Sequence, residues 1–355
     1  MLLTKLHIVH FQPIEKYPPV MNVINSICAI ENVGCNVYTT HNKNNNWFAA
    51  NKINIHRVAK QYQNSLLQYW CYIQFNIITF FSLLIEQPEI IIAYETYSVL
   101  PVYLYIKLFL QCKIVIHYHE YTSKKEIKNA SAYFKILHFF EKKLHSNCEF
   151  ISQTNDDRLQ LFLKDYPNIK KDKTFAVPNL PPDNWIEYSK LNKLENNSGI
   201  IKLVHVGAIG LDTMYVKEML DWVKEQKGKF TIDFYTSNIS SEAKVVFDTM
   251  QNNYVRLLGP INYFELPQVL INYDVGVTIY NGHIPNYIYN VPNKVYEYLA
   301  CGLEVWYSKD LVSTDKLNKV SNSKNPKLPE FLKQLNCNYE APENDPLLTK
   351  LFQNV

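Results

Sequence analysis

Short apolar runs of strand length recur along almost the whole chain, separated by stretches of helical periodicity. This alternation is the strongest constraint on the fold. LHIVH (6–10), NVYTT (36–40), INIHRV (53–58), EIIIAYE (89–95), KIVIHYH (113–119), EFIS (149–152) and TFAV (174–177) form one series. IIKLVHVG (200–207), FTIDFYT (230–236), YVRLLG (254–259), YDVGVTIY (273–280) and LEVWYS (303–308) form a second. Strands that are apolar throughout need cover on both faces, and parallel neighbours need a crossover helix between them. The pattern predicts an α/β protein with two doubly wound domains in tandem. The expected division is 1–180, a linker over 181–199, a second domain over 200–320, and a C-terminal helical segment, 321–355, packing back toward the first domain. The linker rests on PNLPPDNWIEYSKLNKLENNSG (178–199), which is rich in Pro, Asn and charge.

With 355 residues, 47% of them hydrophobic, the chain can fill two cores. Its 36 basic and 33 acidic residues leave a net charge of +3, too little for a nucleic-acid-binding stripe. Seven scattered cysteines, with no C-x-x-C, read as buried thiols in a reducing compartment rather than as disulfides or zinc ligands. MLLTKLHIVHF reads as a first strand, not a leader, and the expected location is cytoplasmic. SLLQYWCYIQFNIITFFSLLI (65–85) is long enough to span a bilayer. The polar positions in and beside it (Gln61, Asn64, Gln68, Asn76, Thr79, Ser82 and Glu86) nevertheless share one helical sector, with Gln74 the exception, which predicts a deeply packed helix of a soluble domain. The basic stretch 124–144 reads first as a helix with a solvated lysine face. Its second reading is peripheral contact with an anionic membrane, on the inner face of the cytoplasmic membrane. Asp156 and Asp157 are placed to start a helix.

Glycines separate the two halves. Gly34 is the only one before Gly199, and the other eight lie within 199–302. A phosphate-cradling loop needs glycines so that backbone can approach the ligand, so the first domain cannot be a conventional dinucleotide site. Any nucleotide belongs on the second. There NVPNKVYEYLACG (290–302) follows one strand and precedes another, with Pro292 suited to a first helical turn and Gly302 to a left-handed cap. The helix N-terminus then lies at the carboxyl end of the sheet, where open α/β sheets bind ligands. Lys294 in the first turn suits a phosphate, and Glu297, three residues on, suits a ribose diol. The plainer alternative is a surface ion pair worth a few tenths of a kcal/mol.

NVPNKVYEYLACGLEV (290–305) resembles the P-x-K-x-x-E-Y-L-A-x-G-x-P-V segment of GT-B glycosyltransferases of the family 4 type. YVRLLGPINYFELPQVLINYDVGV (254–277), VHVGAIG (204–210) and VPNL (177–180) are similar to further segments of that family, as, more loosely, are QPEIIIAYE and KIVIHYHE in the first half. The resemblance implies two Rossmann-like domains facing across a cleft, donor on the second and acceptor on the first. It implies a glycosyltransferase, retaining and metal-independent, moving a sugar from a nucleotide-sugar to a glycan or lipid-linked acceptor in bacterial surface polysaccharide biosynthesis. No cofactor is implied, since the nucleotide-sugar is a substrate. Glu297 would hold the ribose and Lys294 the phosphates, with Pro292 and Asn293 at the helix start and backbone near Gly207 and Gly210 approaching the diphosphate. His119 would face the donor sugar; as a residue it fits equally an ordinary strand-end histidine. Two departures fall on the diphosphate. Tyr289 stands where many members carry an acid, and AIGLDTMYVK (208–217) lacks their Arg and Lys, leaving Lys217 as its one cation. There is no D-x-D to chelate a metal. A nucleotide-sugar 2-epimerase of the same fold, and a catalytically degenerate nucleotide- or partner-binding protein, are the alternative readings.

Overall fold

A computed structural model describes residues 4–41, 52–62, 64–109, 111–250, 252–319 and 328–352. The chain forms two compact units, Met1–Asn179 with Asn344–Val355, and Leu180–Glu343. The first contains β1 (Thr4–His10), α1 (Pro18–Ala29), β2 (Val33–His41), β3 (Ile53–Lys60), α2 (Ser65–Glu86), β4 (Ile90–Tyr94), α3 (Val99–Ile106) and β5 (Lys113–Tyr118). It continues through α4 (Lys124–Asn129), α5 (Ala132–Leu144), β6 (Phe150–Gln153), α6 (Asp156–Asp165) and β7 (Thr174–Ala176). The second contains α7 (Asn184–Asn192), β8 (Ile201–Val206), α8 (Val216–Glu225), β9 (Phe230–Tyr235), α9 (Ser241–Met250), β10 (Val255–Leu258), α10 (Leu266–Leu270) and β11 (Val275–Thr278). Then follow α11 (Pro285–Ile288), α12 (Asn293–Ala300), β12 (Glu304–Ser308), α13 (Val312–Asp315) and β13 (Leu332–Leu335), after which α14 (Pro346–Phe352) returns to the first unit.

As the alternation predicts, both sheets are doubly wound, and every described strand pair is parallel except that of β12 with β13. The first runs β3-β2-β1-β4-β5-β6-β7 and the second β10-β9-β8-β11-β12-β13. Each strand order reverses at the unit's first strand, which places a topological switch point at the carboxyl ends of β1 and β4, and of β8 and β11. Helices cover both faces of each sheet, giving four buried apolar clusters. Local signals agree: Asn155 accepts from the Arg158 N–H at 3.0 Å and caps α6, whose first turn holds Asp156 and Asp157.

Three expectations are corrected. The segment 181–199 is not simply a linker: Trp185 on α7 is buried against the second core, its ring 5.1 Å from that of Tyr263. The segment 321–355 is not helical throughout. Leu332–Leu335 pairs antiparallel with β12, Leu347, Leu348 and Leu351 of α14 join the core that contains α1, and 321–327 and 353–355 lie outside the described residues. The third concerns α2, which is not deeply packed. Its polar sector faces inward: Asn76 donates to the Tyr72 carbonyl at 2.7 Å and meets the Tyr133 hydroxyl at 2.8 Å, and Gln68 accepts from the Tyr62 N–H at 2.8 Å. Leu66, Trp70, Ile73, Ile77, Phe81 and Ile85 point to the surface instead. Among the described residues no helix is long and apolar enough to cross a membrane.

If α7 belongs to the second core, Trp185→Ala should cost about 3–5 kcal/mol in urea unfolding, as large-to-small core changes do. A cost under about 1 kcal/mol, typical of an exposed site, would return the segment to linker status.

Candidate functional site

In the second unit the site is built by the seating of α12 on the sheet. Tyr298 is fully buried and lies over Gly276 in β11, where an added Cβ would come within 2.1 Å of its ring. Its hydroxyl accepts the Val206 N–H at 3.0 Å, tying α12 to the carboxyl end of β8. Pro292 is the N-cap residue, one position ahead of the first turn expected for it; α12 ends at Ala300, and Gly302 has φ +67°. Lys193, at the end of α7, donates to the Gly302 carbonyl and holds the far end of the helix.

On the first turn the Lys294 ammonium donates to both Glu297 carboxylate oxygens, at 3.0 and 3.3 Å. This is not a surface pair, because the Glu297 side chain is 1% exposed and that of Lys294 19%. Burying a carboxylate costs more than an i,i+3 pair returns, so stability alone does not explain its position. Gly207 lies against the pair: a Cβ there would sit 3.9 Å from Lys294 Cε, and φ is +141°. Its N–H is taken by the Tyr235 carbonyl at 3.0 Å, so the residue leaves open space rather than a free donor. Beside it is His205, which the sequence reading passed over. Its Nδ1–H donates to the Val277 carbonyl at 3.0 Å, and Nε2 is buried with no partner at hydrogen-bond distance, although the Ala208 backbone approaches. Burial lowers its pKa to about 4, so near neutral pH that nitrogen is an acceptor aimed toward Gly207. The only sequence signal was a histidine inside an apolar strand.

Other expected site residues are less closely joined. Gly210 packs near Thr213, its Cβ position 3.0 Å from Oγ1. Lys217 is exposed on the first turn of α8, with no ion pair among the described residues. Tyr289 is half-buried at the end of α11, and Asn293 opens α12. No group of three His, Cys, Asp or Glu side chains among the described residues could hold a metal ion.

In the first unit the switch point gathers His10, Glu95 and His119. The His119 ring is buried and stacks on Tyr94 with centroids 5.1 Å apart. Neither ring nitrogen has a partner at hydrogen-bond distance, although the Asn179 side chain approaches. Burial, then His117 and His10, hold its pKa well below the usual value, so the ring is neutral. Glu95 is the residue sequence reasoning missed. It adopts φ +61°, accepts the His119 N–H at 2.6 Å, and lines a pocket of about 170 Å³ with His10, Gln12, Tyr17 and Glu120. A non-glycine residue at positive φ is held there by its surroundings, and such strain concentrates at functional sites.

Burial, followed by the Glu120 charge, raises the Glu95 pKa from 4.5 to about 8. Because the folded-state value is raised, the contribution of Glu95 to stability is complete below 4.5 and is lost as pH rises through about 8. Glu95→Gln should remove that slope. Urea titrations from about pH 5 to 9 should show wild type losing on the order of 2–4 kcal/mol relative to the variant. Parallel curves would mean that Glu95 titrates normally.

No family model and no curated protein sequence matches the chain. Solved structures do. Anabaena HepE in complex with UDP-glucose aligns over 99% of this chain and 89% of its own, with TM-score 0.64 and 10% identity. The lipopolysaccharide outer core galactosyltransferase WaaB aligns over 89% and 84%, with TM-score 0.58 and 12% identity. A UDP-N-acetylglucosamine 2-epimerase aligns over 86% and 78%, with TM-score 0.54 and 9% identity. The identities are low and the folds are shared: this chain has the GT-B fold, two Rossmann-like units, as the resemblance in its motifs implied.

Proposed function

We propose that the protein is a glycosyltransferase that moves a hexosyl or related unit from a nucleotide-sugar to a glycan or lipid-linked acceptor. The reading places it in bacterial surface polysaccharide biosynthesis, at the cytoplasmic face of the membrane, with retention of configuration and without a metal. One observation carries it: a lysine bound to a buried glutamate on the first turn of α12, beside the switch point of the second sheet. HepE in complex with UDP-glucose supports a uridine nucleotide as donor.

In this reading Glu297 accepts the ribose hydroxyls, which release Lys294 to the diphosphate, with Pro292 and Asn293 shaping the helix start. Gly207 and Gly210 leave the diphosphate room. The bond from the anomeric carbon to the diphosphate oxygen breaks, and its electron pair leaves with the nucleotide. The acceptor oxygen bonds to that carbon and passes its proton to the departing phosphate. His119, neutral in the first unit, hydrogen-bonds a donor-sugar hydroxyl, and Lys217 is a reserve cation for the leaving group. Tyr289 and the missing Arg after Gly207 favour a second reading, nucleotide binding without transfer. An epimerase would instead convert the free nucleotide-sugar with no acceptor present. A panel of nucleotide-sugars assayed for transfer, hydrolysis and epimerised donor separates the three.

Lys294→Ala should lower kcat/KM by on the order of 10²–10³, the scale for removing a stabiliser of transition-state charge. Lys294→Gln keeps a donor for Glu297, and so the fold, yet should lose nearly as much activity because it carries no charge. Near-normal turnover by both would remove Lys294 from the reaction. Transfer should also persist in excess EDTA, and a strict requirement for added Mg²⁺ or Mn²⁺ would overturn the metal-free mechanism.

A further inference from the structure

The feature least like a water-facing surface is the outer side of α2. On an ordinary surface helix the apolar stripe faces the core and the polar sector faces water. Here the inner side buries Cys71, Phe75 and Leu83 in the core, yet the outer side is apolar as well. Asn76 and Thr79 are buried, while Leu66, Trp70, Ile73, Ile77, Phe81 and Ile85 are exposed; Trp70 is 58% and Ile85 78% exposed. Over 22 residues, about 33 Å of helix, the only charged side chain is Glu86 at the last position.

The apolar surface continues onto the neighbouring helices. α3 packs against both α2 and α5. Leu104 on α3, Leu108 just beyond its end, and Ile136 and Phe139 on α5 are exposed as well. The charges beside them are basic. Lys143 stands 4.1 Å from the Phe139 ring centroid and Lys107 5.3 Å from that of Tyr103, while Lys135 and Lys142 are exposed on α5. Glu141, the acid of α5, is withdrawn into the core, where it accepts from Thr96 and Tyr118 at 2.8 Å and pairs with His138.

We propose that this face docks on an anionic phospholipid bilayer, with α2 lying in the plane of the interface and the lysines of α3 and α5 reaching headgroup phosphates. An apolar stripe with a basic border is what such a surface requires, and lysine stems bridge the two zones. Charge argues against a second copy as the occupant, because a face-to-face pair would bring two basic borders together. The docking surface is thus α2 with its neighbours rather than the stretch 124–144 alone, and it stands whether or not the glycosyl-transfer reading holds.

The test uses the full-length protein with large unilamellar vesicles of phosphatidylcholine, alone or mixed with phosphatidylglycerol. The protein should float with the mixed vesicles and more weakly with the neutral ones, and salt should reduce the difference. Amide exchange over 66–85 should slow when the mixed vesicles are added. The combined change Trp70→Ser, Ile77→Ser and Phe81→Ser should weaken vesicle binding by at least about tenfold, since binding scales with buried apolar area. Lys135→Gln with Lys142→Gln and Lys143→Gln should abolish the preference for the anionic lipid. Failure of the wild type to bind either vesicle would overturn the proposal, as would unchanged binding by the serine variant. So would a wild-type dimer that the serine variant converts to monomer. Should that variant fail to fold, exchange over 66–85 in the wild type decides: no protection by vesicles refutes the docking.

Discussion

Parallel pairing is the constraint on which the rest of the structure depends. Among the described strands, β13 alone runs against its neighbour, so every other strand is followed by a loop at the same edge of its sheet. Residues far apart in sequence therefore meet at one place. His10 ends β1, Glu95 and His119 follow β4 and β5 of the same sheet, and Gly207 and Lys294 follow two strands of the second. A meander of antiparallel strands would have divided these groups between two ends. The crossover helices that parallel pairing requires also bury both faces of each sheet, which leaves the strand ends as the main place where polar groups can collect.

The two units handle buried charge differently. In the second, a carboxylate and an ammonium are held together as an ion pair, with a neutral histidine next to them. In the first, burial pushes Glu95 up and His10, His117 and His119 down, so the cluster approaches neutrality near neutral pH. The contrast suits the proposed division of labour. A diphosphate needs fixed positive charge, whereas sugar hydroxyls are read by neutral donors and acceptors. Tyr298 is the physical link in the second unit. Its ring needs the absent Cβ of Gly276, and its hydroxyl needs the last N–H of β8, so the aim of Lys294 depends on strand residues far from it in sequence.

The burial of polar residues on the inner side of α2 has a local cause. Its inner side meets an aromatic cluster in which Tyr72 stacks on Tyr97 and Tyr133, with a hydroxyl that Asn76 can engage. Polar side chains with partners can be buried there at little cost. Cys71, Phe75 and Leu83 fill the core from the same inner side, so the core is closed without the outer apolar residues.

The sequence by itself determined the positions of every described strand but β13, the grouping of those strands into two parallel series, and the placing of Lys294 and Glu297 on one helical face. All of these follow from spacing along the chain, at period two, period 3.6, or i to i+3. Tertiary structure alone decided the rest. Periodicity shows that α2 has a polar sector but not which side the protein covers. Composition made 181–199 look like a linker because nothing local says that Trp185 finds a core. The short strand at 332–335 exists only because β12 offers an open edge. Glu95 could not be singled out, since a positive φ on a glutamate is imposed by contacts from β5 and its loop rather than by its own preferences. Likewise the burial of Glu297, which separates a site from a surface ion pair, arises where α12 is pressed onto β8 and β11. Neighbours in sequence set direction and face; distant packing sets burial, and burial decides the chemistry.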